Sequence, residues 1–75
     1  MDYNEMFEGL RSTFRIFMGN YMIKPNAILV NYEALQIMLS SLNFPINVSK
    51  DGYKIMDCKV YETLDNSIFA KWILK

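Results

Sequence analysis

The sequence predicts an α+β fold, with a four- or five-stranded antiparallel or mixed sheet and two helices packed on one face. Three observations predict it. Tyr3, Phe7, Leu10, Phe14, Phe17 and Tyr21 recur at alternating steps of four and three residues, which places them on one stripe of a helix. A second, strongly apolar helical stretch follows a short strand-like run. From Ile46 onward the chain reads as strand-length segments separated by turn residues.

The first helix is predicted from about residue 3 to 18. Asp2 is a suitable N-cap, and Glu5 three residues on completes a capping box. Glu5 and Glu8 near the start and Arg11 and Arg15 further along suit the helix dipole. Gly19-Asn20 is the expected stop, because both residues tolerate positive φ. Gly9, a poor helix former, is read as room for another backbone to come close. Lys24-Pro25-Asn26 then breaks the pattern. Ala27 to Val30 is apolar on both faces and reads as a central strand. Asn31 is placed to cap a second helix from about 32 to 42, closed by Asn43 and Pro45.

Ile46-Asn47-Val48 and Tyr53-Lys54-Ile55-Met56 flank a hairpin turn at Ser49-Lys50-Asp51-Gly52. Asp57 is a bulge or turn, and Cys58 to Thr63 a further strand. Leu64-Asp65-Asn66 turns the chain into a last strand, Ser67 to Leu74. There Ile68, Ala70, Trp72 and Leu74 form the core face. Phe69, Lys71, Ile73 and Lys75 form the other face, which is half apolar.

One domain spanning residues 1–75 is expected, with no repeat or linker. So short a chain buries a small share of its surface and is commonly supported by disulfides, a metal or oligomerisation. A single cysteine excludes an internal disulfide, and the lack of histidine removes the usual zinc ligands. Oligomerisation and an unusually apolar monomer remain open. The apolar fraction of 52% is above the ordinary range for a globular domain.

Catalytic chemistry finds little footing in these residues. No histidine is available as a base for a serine or cysteine nucleophile. Asp57 beside Cys58 raises rather than lowers a thiol pKa. Gly9, Gly19 and Gly52 stand alone, outside any phosphate-loop spacing. Asp51 and Asp65 are accounted for as turn residues, with Asp57 and Glu62 scattered beside them. The six methionines point to a plastic interior or interface rather than a cofactor box. No enzyme activity and no cofactor are expected.

Lys54, Lys59, Lys71 and Lys75 lie on predicted strands, with Tyr53, Tyr61, Phe69 and Trp72 among them. Such interleaving can stack bases and hold phosphates. The simpler account makes the aromatics core and the lysines a solvated outer face. Eight basic and eight acidic residues cancel, so no overall field favours a polyanion. Nucleic acid is therefore the less favoured partner. No apolar run is long enough to span a bilayer, and the acidic start lacks the basic region of a signal peptide. A cytoplasmic protein is expected, and the unpaired cysteine suits a reducing compartment.

Lys24-Pro25-Asn26-Ala27-Ile28-Leu29-Val30-Asn31, the helix after it, and the run from Gly52 through Tyr61 resemble the peripheral domain of tailed-bacteriophage major capsid proteins. The resemblance covers about two thirds of the chain and consists mainly of apolar periodicity. A capsid subunit is several times longer, with an axial domain and arms. The resemblance implies a small phage or prophage product, in the host cytoplasm or the virion.

The expected function is that of a small non-enzymatic structural or interaction module that self-associates or binds another protein. A small nucleic-acid-binding or regulatory protein is the alternative. Candidate interface residues are Tyr3 and Tyr21 at the ends of the aromatic stripe, Ile37 on the polar side of the second helix, and Phe69 and Ile73 on the outer side of the last strand. Whether the stripe between Tyr3 and Tyr21 is core or interface stays open.

Overall fold

The computed structural model describes residues 3–41 and 44–75. Its elements are α1 (Tyr3–Tyr21), β1 (Ala27–Asn31), α2 (Tyr32–Ser40), β2 (Ile46–Ser49), β3 (Gly52–Ile55), β4 (Cys58–Thr63) and β5 (Ala70–Ile73). The strands form one mixed sheet in the order β2-β3-β4-β1-β5. β1 pairs parallel to β4 and antiparallel to β5. It is thus an interior strand, as its apolar composition on both faces requires. β2 and β5 are the edges.

The register sorts the strand residues onto two faces. Ile28 lies opposite both Val60 and Trp72, and Ile55 opposite Cys58. These residues, with Val30, meet Met6 and Leu10 of α1 and Ala34, Leu35 and Met38 of α2 in one buried cluster. Both helices therefore cover the same face. Phe7, Phe14 and Phe17 pack on the margin of that cluster. Within the stripe Leu10 is buried, Phe7, Phe14 and Phe17 are partly buried and Tyr21 is exposed; Met6, beside the stripe, is buried with Leu10.

Trp72 fastens α1 to the sheet. Its indole N–H donates to the Leu10 carbonyl at 3.0 Å and to Thr13 Oγ1 at 2.9 Å. Phe14 stands edge-on to the same indole, with centroids 5.0 Å apart. Phe7 makes a similar edge contact with Phe44 at 5.9 Å. At the start of α2, Asn31 Oδ1 accepts from the Glu33 N–H at 2.9 Å, the cap its position predicts. The Asn31 amide also donates to the Asp65 carbonyl at 3.1 Å, tying this cap to the loop before β5.

Several boundaries differ from the sequence reading. α1 runs through Gly19-Asn20 to Tyr21 and ends where Met22 takes a left-handed φ of 57°. The Met22 N–H still reaches the Met18 carbonyl at 2.9 Å, so ladder continuity outweighs the local stop signal. Gly9 faces open space, with no atom near a Cβ placed there, so no backbone approaches it. α2 ends at Ser40, and Ser41 donates its N–H back to the Met38 carbonyl. Met56 leaves β3 and joins Asp57 in a two-residue turn, with φ of 50° and 65°. Positive φ at both positions is what a type I′ hairpin demands. β5 is shorter than expected, and Leu74 lies beyond it, exposed rather than core. The expected roles of Asp2, Leu42 and Asn43 lie outside the described residues.

Candidate functional site

The helices leave one face of the sheet uncovered, and the register dictates what stands on it. Lys54 lies opposite Lys59, and Lys59 opposite Ala27. Tyr61 lies opposite Leu29, which in turn faces Lys71. Ile73 lies opposite Ala27, and Lys75, beyond the strand, reaches the same side over the Tyr61 ring. The lysines are exposed, Tyr61 is half-buried and Ala27 is buried between its larger neighbours. Lys75 Nζ sits 4.6 Å and Lys59 Nζ 5.4 Å from the Tyr61 ring centroid, so two cations share one aromatic face system.

This face has a one-sided charge. Glu62 is the only acidic strand residue, and alternation with Val60 turns it to the helix side. Arg11 pairs with Glu8 at 2.9 Å on α1, away from this face. Lysines directly opposite across a strand pair repel, so Lys54 and Lys59 hold an arrangement that costs some stability. The zero net charge of the chain conceals this segregation.

A second surface lies along the free edge of β5. Tyr21 and Ile73 share a groove of about 300 Å³ with Phe17, Trp72 and Leu74. An adjoining groove of about 260 Å³ carries Ile16 beside Phe17 and Tyr21. Ile16, Tyr21 and Leu74 are 59%, 62% and 51% exposed. At the other end of β5, Ile37 and Phe69 line a groove of about 390 Å³ with Asn31, Glu33 and Ile68. Four of the five candidate interface residues thus fall into two pairs, one at each end of β5. Tyr3 begins α1, and its side chain lies outside what is described. Leu74 and Ile16 were missed, because strand alternation assigned Leu74 to the core and Ile16 lies off the aromatic stripe.

Cys58 and Asp65 have structural partners. The Cys58 thiol is buried and donates to the Pro25 carbonyl at 3.3 Å. Burial, aided by the Asp57 charge, pushes its pKa up and keeps it protonated. Asp65 Oδ1 accepts from the Ser67 hydroxyl at 2.7 Å and the Ser67 N–H at 3.0 Å. Those bonds hold its carboxyl below the usual range and fix the turn before β5. No cluster of three metal-ligating side chains occurs among the described residues. Among the described residues, no helix is long and apolar enough to cross a membrane. Comparison with protein-family models, curated proteins and solved structures finds no match.

Proposed function

We propose that this protein works by contact, as a small self-associating module with no catalytic chemistry of its own. The observation that carries the reading is the apolar surface along the β5 edge, where Ile16, Tyr21 and Leu74 stand more than half exposed. Exposed apolar side chains gathered in adjoining grooves at a sheet edge favour a protein partner over solvent. A second copy is the partner, because a short chain gains from oligomeric support. The protonated, buried Cys58 supports a structural thiol and suits a reducing compartment.

Sedimentation velocity over roughly 1 to 100 µM tests the reading, since mass action makes association concentration-dependent. The protein should shift to a larger species as concentration rises. Tyr21→Glu combined with Leu74→Lys should stay a folded monomer throughout. A parent chain that is monomeric over the whole range overturns self-association. The resemblance to capsid peripheral domains supports a phage or prophage setting as part of the same proposal. Flanking phage structural genes agree with it, and a neighbourhood of unrelated housekeeping genes opposes it.

A further inference from the structure

We infer that the uncovered sheet face binds single-stranded nucleic acid, with phosphates held by Lys54, Lys59, Lys71 and Lys75 and a base stacked on Tyr61. The inference shares Lys71 with the β5-edge grooves but does not depend on self-association there. It rests on where the register puts charge and ring.

The charge is complementary to a polyanion and to little else. Lysines from β3, β4 and β5, joined by Lys75, surround the face, and no strand carboxylate shares it. A second copy of the same face would meet cations with cations. From β3 to β5 the sheet spans three strand spacings, roughly 14 Å, enough for a short run of nucleotides.

The ring selects among polyanions. Tyr61 stands on β4 between Lys59 and Lys75, with Leu29 its apolar neighbour on β1. Every base has a π-face, so stacking on such a ring tolerates any sequence. The two lysines at the ring are already gathered beside it. A stacked base would replace a cation on the ring and release that ammonium to an adjacent phosphate. A duplex hides its base faces and is read by elements that enter a groove. Among the described residues, both helices lie on the other side of the sheet from this face. An anionic vesicle would engage the lysines but leave Tyr61 without a stacking partner.

The probe is a fluorescein-labelled mixed-sequence single strand of about 12 nucleotides, as DNA and as RNA, followed by anisotropy. Binding should weaken with salt, with a slope of log K against log salt near −2.8, about −0.7 per lysine. Lys59→Gln and Lys71→Gln should each flatten the slope by about 0.7. Tyr61→Ala should weaken binding roughly 5- to 150-fold while leaving the slope unchanged. Tyr61→Phe, which keeps the ring, should bind like the parent and guards against a folding defect in the alanine variant. Circular dichroism confirms that each variant is folded. No binding at roughly 50 mM salt overturns the inference, as does equal affinity for a duplex of the same length. So does binding to phosphatidylserine vesicles without binding to the oligonucleotide. These outcomes leave the sedimentation result untouched, so either proposal can fail alone.

Discussion

Replacing Trp72 by phenylalanine isolates the bond that fastens α1 to the sheet. The indole is buried, and its N–H serves Leu10 and Thr13 together. Losing that donor removes about 1 kcal/mol of net hydrogen bonding. The smaller ring gives up roughly 40 Å² of buried surface, about another 1 kcal/mol. The expected destabilisation is therefore about 2 kcal/mol. A 75-residue domain has a total stability of roughly 4–11 kcal/mol, so the loss is a large share. Urea unfolding followed by circular dichroism measures it, because the chain holds one tryptophan and the variant loses that fluorescence. With a urea slope of about 1 kcal/mol/M, the midpoint should fall by about 2 M. Thr13→Val completes a double-mutant cycle, with an expected coupling near 0.5–1 kcal/mol. A midpoint within about 0.5 M of the parent, with no coupling, would refute the assigned role of the indole.

Other outcomes follow from the same contacts. Phe14→Ala should cost about 2 kcal/mol, below the usual value for a fully buried phenylalanine, because the ring is half-buried against Trp72. Its denaturant midpoint checks this, and a change under 0.5 kcal/mol would place Phe14 outside the core. Met22→Gly should stabilise by about 0.5–1 kcal/mol, since a β-carbon at φ 57° is strained and the side chain is 88% exposed. A melting temperature at or below the parent's would contradict that. Cys58 has a raised pKa in the folded chain, so the unfolded chain releases the thiol proton first as pH rises. Its contribution is full below the ordinary thiol pKa and is lost as pH climbs through the folded value. Parent stability should fall relative to Cys58→Ser across that alkaline window, and parallel pH profiles would disprove the coupling. Ile37→Lys should leave the fold intact, because Ile37 is 52% exposed on α2. Loss of helical signal at high dilution would make it a core residue instead.

Local chemistry made much of this fold legible. The step pattern of α1, the cap at Asn31, the apolar run of β1 and the inward Trp72 all follow from residues close in sequence. The parallel pairing of β1 with β4 does not, because its register is set across 32 residues, Ala27 to Lys59. The Met56-Asp57 turn was legible at Asp57 but not at Met56, which extends the strand pattern of Ile55 and carries no glycine-like signal for positive φ. Exposure of Tyr21, Ile37 and Phe69 could be read from their helical and strand positions. The convergence of the four lysines could not. A one-residue slip at that turn would send Lys59 to the helix side, so the face exists only once the hairpin register is known.

The bond from Trp72 to Leu10 joins residues 62 positions apart. During synthesis α1 emerges first and β5 last among the described elements. A lone helix draws most of its stability from packing, and the Leu10 carbonyl and the Phe14 ring lack their Trp72 partner until the final strand arrives. The hairpins of β2, β3 and β4 close over short loops and can form earlier. Truncation within β5 would therefore strip Leu10, Thr13 and Phe14 of the Trp72 contacts that fasten α1. The last strand acts as the latch on the first helix.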